Sequence, residues 1–162
     1  MNGMNTLHRR AVMEKLFFED YTVGESFKSP GRTITEADIT MFAALTGDWH
    51  PIHTNAEYAK KTFFGERIAH GMLTLCVGSA LIFRLGQFVA LPKSFIAFYG
   101  MDSVRFTAPV KIGDTIHCVV QVEKLDAKDE KTGVIVAKNI IRNQHNEDCV
   151  IYTTRILAGR KP

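Results

Sequence analysis

The stretch HGMLTLCVGSALIFRLG, residues 70–86, decides the fold of this protein. From Met72 to Leu85 it is apolar on almost every side of a helix, and Gly86 supplies a stop signal. The apolar run is shorter than the roughly 20 residues that a membrane span needs. Because a helix that is hydrophobic all round has to be enclosed, we predict a buried helix at the centre of the domain.

The sequence around this helix supplies the strands that enclose it. An earlier segment, YTVGESFKSPGRTIT, has the character of a first strand and turn. Four segments rich in β-branched and aromatic residues follow the helix, separated by turn sequences such as KIGD and KDEKTG. They are SFIAFYGMDSVRFTAP, TIHCVVQVEKL, GVIVAKNIIRNQ and CVIYTTRILAG. We therefore predict an α+β domain in which a long central helix is wrapped by an antiparallel β-sheet.

Length and composition limit the number of domains and the classes of function. The chain has 162 residues, enough for one ordinary domain with its own core. We predict a flexible N-terminal extension over residues 1–16 and a single domain over residues 17–162. The 20 basic and 17 acidic residues are scattered and give a net charge of +3, so a nucleic-acid-binding function is not expected.

Two features of the sequence indicate where the protein resides. Charged residues interrupt positions 14–20, where a secretion signal needs an unbroken apolar stretch. The three cysteines, Cys76, Cys118 and Cys149, form no CxxC pair and are odd in number, which favours reduced thiols. We therefore predict a cytoplasmic protein without membrane association. We expect Cys76 to pack in the core, because it lies within the apolar run.

A histidine-containing turn precedes the central helix and carries the candidate chemistry. In LTGDWHPIH, residues 45–53, an aspartate, two histidines and a proline stand within six positions. The overlapping segment ITEADITMFAALTGD has Thr35 as an N-cap and Gly47 at its C-terminal end, which predicts a short amphipathic helix. That helix delivers the chain directly to Asp48.

The residue types in this turn suit proton transfer to and from water. Addition of water to an activated carbon–carbon double bond needs a base, an acid and fixed donors for the enolate oxygen. Asp48 and His53 can supply the first two, since a turn stiffened by Pro51 can bring both side chains onto one water. Which of them is the base and which the acid stays open, because a coupled pair shares its titration.

The start of the predicted central helix offers the third requirement. The first amides of a helix lack intrahelical acceptors and carry the positive end of the helix dipole. At His70-Gly71-Met72 the glycine lets an oxyanion approach closely, and one such donor contributes roughly 3 kcal/mol of transition-state stabilisation. Ser79 lies about two helical turns further on. It either steadies a catalytic side chain from the same side or bonds back to a carbonyl one turn earlier.

Two other interpretations fit parts of the same pattern. An aspartate after a glycine, as at Asp48, is also typical of a simple turn residue. The side chains of Asp48, His50, His53 and His70 can each bind zinc, but their spacing matches no standard zinc signature. We therefore expect neither a metal nor a cofactor, and we expect His50 either to face solvent or to support the site from behind the catalytic side chains.

The motifs together resemble those of a known family. FAALTGDWHPIHTN, followed by FFGERIAHGMLTLCVGSAL and later by VRFTAPVKIGDTI, is similar to the MaoC-like dehydratases, the (R)-specific enoyl-CoA hydratases with a hot-dog fold. The resemblance covers about residues 17–158. It implies that Asp48 and His53 are the catalytic pair that holds the attacking water. It also implies that the Gly71 amide binds the thioester carbonyl and that Ser79 contributes to the site.

The activity that the resemblance implies is reversible syn addition of water to a trans-2-enoyl thioester carried on CoA or an acyl-carrier protein. It further implies a homodimer or higher homo-oligomer. Hot-dog thioesterases commonly place a carboxylate on the central helix, and none lies between Gly71 and Leu85. A non-enzymatic acyl-CoA-binding protein has no need of Asp48 and His53 together. We expect chain-length specificity to be set by loops such as residues 83–96.

The contacts to the CoA phosphates cannot be assigned from the pattern. Four basic residues suit a phosphate and are equally typical of a solvated surface: Lys60, Lys61, Arg67 and Arg84.

Overall fold

A computed structural model describes residues 14–162 of the chain as helices packed on one face of an antiparallel sheet. The strands are β1 (Ser26–Lys28), β2 (Arg32–Thr33), β3 (Phe95–Phe106), β4 (Thr115–Ala127), β5 (Thr132–Arg142) and β6 (Asp148–Gly159). The α-helices are α1 (Glu36–Thr46), α2 (Pro51–Thr54), α3 (Ala56–Ala59), α4 (Gly71–Ala80) and α5 (Gln87–Ala90). Two short 3-10 helices span Phe18–Asp20 and Leu81–Leu85.

The sheet follows the order β1-β4-β5-β6-β3, with β2 also paired to β4. Every strand pair in it is antiparallel. The four segments predicted as strands after the central helix are the four long strands β3 to β6. Strand β3 forms one edge, and its only pairing among the described residues is with β6.

Helix α4 lies directly on the middle of this sheet. Leu73, Leu75 and Gly78 are buried, and a Cβ added at Gly78 would stand 2.4 Å from the Cδ1 atom of Ile141 on β5. Only a residue without a side chain allows the helix to approach the strand this closely. The arrangement of one helix wrapped by a long antiparallel sheet confirms the predicted hot-dog fold.

The prediction that the central helix is enclosed on all sides was wrong for one face. Met72 is 52% exposed and Phe83 is 45% exposed, and Cys76 is exposed rather than packed in the core. The α-helical part also ends at Ala80 and continues as a 3-10 helix. The sheet covers the opposite face only, so hydrophobicity all round the helix does not mean burial within a single chain. No helix in residues 14–162 is long and apolar enough to span a membrane.

The predicted N-terminal extension lies mostly outside the described residues. Of positions 1–16 the structure describes 14–16, and these are bonded to the domain. The Lys15 amide donates to the carbonyl of Phe88 at 2.7 Å, and the Ser94 amide donates to the carbonyl of Leu16 at 2.9 Å. Contacts with the fold therefore begin before residue 17.

Candidate active site

Helix α1 ends where the candidate chemistry begins. At its start, the Thr35 amide donates to the Asp38 carboxylate at 2.8 Å, and the Asp38 amide donates to the Thr35 hydroxyl at 3.3 Å. At its end, Gly47 adopts a left-handed conformation with φ 78° and donates its amide to Ala43 at 2.8 Å. Both predicted signals are confirmed, and the chain leaves the helix at Asp48.

The segment after Asp48 contains a helical turn, α2, where the sequence indicated only a polar turn. Pro51 occupies its first position, which suits proline because that amide has no partner within a helix. The His50 ring accepts a hydrogen bond from the Ile52 amide at 3.2 Å and caps the turn. The Asp48 carboxylate accepts one from the His50 amide at 3.2 Å. His50 is exposed, as expected.

The fold fixes the orientation and tautomer of His53. Its Nδ1 atom lies 2.8 Å from the backbone carbonyl oxygen of Ile68. A carbonyl only accepts, so Nδ1 carries the hydrogen and the neutral ring keeps its lone pair on Nε2. Burial lowers the pKa of His53, and the nearby His70 lowers it further, while the bond to Ile68 and the charge of Asp48 oppose this. The lowered pKa favours a neutral imidazole at neutral pH, with Nε2 free to accept a proton.

His70 joins the turn to the central helix. It is only 2% exposed, and its Nε2 donates to the backbone carbonyl of Asp48 at 3.0 Å. Its ring packs against the His53 ring with centroids 3.8 Å apart. The residue immediately precedes α4, so it connects Asp48 and His53 to the N-terminus of that helix. From the sequence, His70 was considered only as a possible metal ligand. Its position next to Gly71 was the signal that could have indicated its place in the site.

The three polar side chains form one cluster. Asp48, His53 and His70 each offer a ligand atom, and these atoms lie within 4.8 Å of one another. His50 is not part of the cluster. One nitrogen of each clustered histidine is already engaged by a backbone carbonyl. The arrangement can therefore hold a water between an imidazole nitrogen and a carboxylate, or offer the remaining nitrogens and the carboxylate to a cation.

A cavity of about 540 Å³ connects His53 with the start of α4. Gly71 and Thr74 line it from the helix, and Phe106 lines it from β3. Gly71 is the first residue of α4, so its amide has no acceptor within the helix. A Cβ at Gly71 would stand 2.9 Å from the Phe106 ring, so a side chain at this position would have to displace that ring. The first residue of α4 and His53 thus line the same cavity.

Ser79 lies apart from the other three predicted site residues. It lines a second cavity of about 390 Å³, and the two cavities share no lining residue. Its hydroxyl donates to the Cys76 carbonyl at 3.1 Å. Of the two roles considered for Ser79, this is the bond back to a carbonyl one turn earlier. The structure therefore groups Asp48 with His53 in one cluster and places His53 and Gly71 on one cavity, and it brings Ser79 to neither.

Two of the four basic residues considered for phosphate binding are paired with acidic side chains. Arg67 contacts Glu36 at 2.8 Å, and Lys60 contacts Glu57 at 2.6 Å. Both pairs are on the surface, where such contacts are weak. The structure assigns no phosphate contact.

The turn, the helix start and the fold are shared with a known family. The profile of the MaoC like domain matches residues 18–144. This match covers most of the chain, so the protein belongs to the MaoC-like dehydratase family, and the resemblance seen in its motifs is confirmed.

Individual relatives agree with this assignment. An (R)-specific enoyl-CoA hydratase from Rhodospirillum rubrum is 44% identical over 109 residues, which cover 67% of this chain and 71% of that protein. Protein MaoC from Klebsiella aerogenes is 36% identical over 116 residues, covering 72% of this chain but only 33% of that larger protein. A solved structure described as a monoamine oxidase regulatory protein from Archaeoglobus fulgidus matches with a TM-score of 0.84 and 38% identity, covering 93% of this chain and 99% of that one.

The role of His70 is tested by His70→Phe, which keeps an aromatic ring against His53 but removes the donor to Asp48. We expect the free energy of unfolding in urea to fall by about 1 kcal/mol, the usual contribution of one hydrogen bond. We also expect faster hydrogen exchange at the amides of residues 48–53. The matched control is His145→Phe in the exposed turn before β6. Unchanged exchange in the His70 variant would show that the bond does not hold the turn.

Proposed function

We propose that the protein is an (R)-specific enoyl-CoA hydratase, or 3-hydroxyacyl-thioester dehydratase, that adds water reversibly and syn to a trans-2-enoyl thioester. One observation carries the proposal. The Asp48 carboxylate stands in one cluster with the His53 ring, whose Nε2 has no hydrogen-bond partner among residues 14–162, and Gly71 lines the same cavity as that ring. The name of the Rhodospirillum rubrum relative supports a hydro-lyase acting on such thioesters.

His53 is the proposed base in the hydration direction. Its Nδ1–H is held by Ile68, so Nε2 takes a proton from the water that lies between the ring and Asp48. The water oxygen then bonds to C3 of the enoyl group. The resulting imidazolium is stabilised by the Asp48 carboxylate, an opposite charge close to it.

The Gly71 amide is the proposed donor to the thioester oxygen. As C3 gains its bond to oxygen, the double-bond electrons move to the thioester carbonyl and make an enolate. The unpaired amide at the start of α4 stabilises that negative charge together with the helix dipole. The enolate collapses when C2 takes the proton from the His53 imidazolium. The proton and the hydroxyl arrive from the same side, so the addition is syn.

Acid–base chemistry of this kind needs no metal or cofactor, and we propose that none takes part. Asp48 and His53 can be fully occupied by the water and the substrate. The substrate is carried on CoA or an acyl-carrier protein. A role in nucleic-acid or membrane binding is not proposed, in keeping with the scattered charges of the sequence.

We propose that two copies of the chain associate through the β3 edge to form a homodimer or higher homo-oligomer. The edge is unpaired among residues 14–162, and an open edge strand is a ready site for pairing with another chain. Contiguous exposed apolar surface of this kind marks an interaction site. Five large apolar residues of β3 are each at least 39% exposed: Phe95, Ile96, Phe98, Tyr99 and Phe106.

A cytoplasmic location is proposed on the basis of the cysteines. Cys76, Cys118 and Cys149 are all free thiols. Burial raises the pKa of both Cys118 and Cys149 to about 11, so neither is reactive. Unpaired cysteines of this kind suit a reducing compartment.

The catalytic roles are tested with crotonyl-CoA as substrate. We expect His53→Gln to lower kcat for hydration by roughly 10²–10⁴, the usual contribution of a general acid or base. Asp48→Asn should lower kcat as well, because the imidazolium then loses the opposite charge that stabilises it. Loss of the enoyl thioester absorbance measures the rate, and circular dichroism checks that the variants fold. Wild-type protein dialysed against EDTA should keep its activity.

Two results would contradict the proposed function. Tight binding of enoyl thioesters of several chain lengths, without turnover of any, would indicate an acyl-CoA-binding protein. Release of free CoA thiol instead of hydration would indicate a thioesterase.

The pH dependence follows from the lowered pKa of His53. A protonated ring cannot accept the proton of water, so hydration should be fast above this pKa and be lost as the pH falls through it. Because burial lowers the pKa, the acid limb of kcat/KM should have its midpoint below about 6.5, the ordinary value for histidine. His53→Gln should remove the limb, whereas His145→Gln should keep it. A limb that persists in His53→Gln would contradict the assignment.

A further inference from the structure

His50 holds together the helical turn that carries the proposed base. Helix α2 has only four residues, Pro51–Thr54, and His53 is one of them. The His50 carbonyl accepts hydrogen bonds from the His53 amide at 3.0 Å and from the Thr54 hydroxyl at 3.3 Å. A helical turn this short is marginal unless other contacts hold its ends. The position of the His53 ring therefore depends on the residue at which its turn starts.

The His50 side chain caps the start of α2. Its Nδ1 atom accepts a hydrogen bond from the Ile52 amide at 3.2 Å, and amides at this place have no acceptor inside a helix. An amide only donates, so Nδ1 carries a lone pair and the hydrogen of the neutral ring is on Nε2. The residues that usually fill this place accept the bond with a side-chain oxygen. In this protein the acceptor is a titratable nitrogen.

A proton on the His50 ring turns this acceptor into a donor. Both nitrogens of an imidazolium carry hydrogen, so the Nδ1–H group would face the Ile52 N–H group and the cap would be lost. The ring is exposed, so protons from the solvent reach it. The cap is therefore present while the ring is neutral and is lost as the pH falls.

Three titratable side chains neighbour His50. The Asp48 carboxylate accepts a hydrogen bond from the His50 amide at 3.2 Å. The ring centroids of His53 and Tyr58 lie 6.2 and 6.1 Å from that of His50. Phenols are neutral in acid, so Tyr58 adds no charge there. A charged His50 attracts Asp48, which then has a second cation near it besides the His53 imidazolium.

We propose that His50 is an acid-sensitive switch of the site: the neutral ring caps α2 and holds His53 in place, and the protonated ring releases the turn. This inference rests on the proposed function, because it concerns the regulation of the site that contains the proposed base. His50 lies outside the cluster of Asp48, His53 and His70 and lines neither of the two cavities. It therefore acts through His53, as a positioning residue.

Protonation of His53 does not release the turn in the same way. The hydrogen on its Nδ1 atom already bonds the Ile68 carbonyl, and an added proton goes to Nε2. The bond that orients the ring is therefore kept when the ring becomes charged. Loosening of the turn in acid is specific to His50.

The switch is tested by amide hydrogen exchange of Ile52 and His53 in the free protein, followed by NMR. Protection factors, which correct for the intrinsic effect of pH on exchange, are compared with the titration of the His50 ring signals. We expect the protection of both wild-type amides to fall roughly fivefold as His50 becomes charged, the usual effect of losing one helix cap.

Two variants of His50 and one control isolate the cap. His50→Asn supplies an acceptor that does not titrate, so it should keep its protection over the same pH range. His50→Ala has no acceptor and should be poorly protected at every pH. The control His145→Asn, in the exposed turn before β6, should lose protection in acid as the wild type does.

The consequence for catalysis is measured at pH 8, where an ordinary histidine is neutral. We expect His50→Ala to lower kcat for crotonyl-CoA roughly fivefold with little change in KM, because the base is held in place for less of the time. His50→Asn should restore most of kcat. A fivefold effect is partial, so the full loss of activity in acid still follows His53.

Three outcomes overturn the inference while leaving the hydratase function intact. The first is protection in the wild type that stays constant while His50 titrates. The second is an equal loss of protection in acid in His50→Asn, which would place the acid-sensitive group elsewhere. The third is a low kcat in His50→Ala that His50→Asn does not restore.

Failure of the proposed function would give a different result, namely no turnover of crotonyl-CoA by the wild-type protein. The exchange measurement needs no substrate. It would then still decide whether the protonation state of His50 controls the turn.

Discussion

The hydrogen bond from His70 to the Asp48 carbonyl joins the two parts of the candidate site. On one side of it lies the turn that carries Asp48 and His53, and on the other lies the first residue of α4, Gly71. The same ring also packs against His53, which lines the first cavity. Together with the bond between His53 and the Ile68 carbonyl, this contact holds the proposed base close to the segment that leads into Gly71, the proposed oxyanion donor. Catalysis by positioned groups depends on such fixed distances.

Helix α4 serves the fold and the chemistry with different residues. Gly78 lets it lie against Ile141 on the sheet, and this contact sets the height of the helix above β5. Its first residue, Gly71, lines the first cavity, and Ser79 and Ala80 near its C-terminal end line the second. The exposed Met72 shows that the sheet covers only one side of the helix. The proposed association of two chains through β3 would give the remaining apolar surface a partner.

Local signals allowed much of the fold to be predicted from the sequence. Thr35 and Gly47 mark the ends of α1 because capping involves only neighbouring residues. The role of His70 was missed because its partner, Asp48, is 22 residues away along the chain, and no local pattern encodes that contact. Ser79 was predicted to face the same side as Gly71 from helical periodicity, and the family resemblance implied that it contributes to the site. About 12 Å of rise along the axis separates them, which is further than a serine side chain reaches.

The state of the His53 ring is the most direct test of this account. We predict that the nitrogen chemical shifts of ¹⁵N-labelled protein show His53 neutral at pH 7, with its hydrogen on Nδ1 and none on Nε2. The tautomer should persist until acid protonates the ring at a pH below its ordinary pKa. A ring that carries its hydrogen on Nε2, or one already charged at neutral pH, would contradict the account, because Nε2 would then have no lone pair to accept a proton from the proposed water.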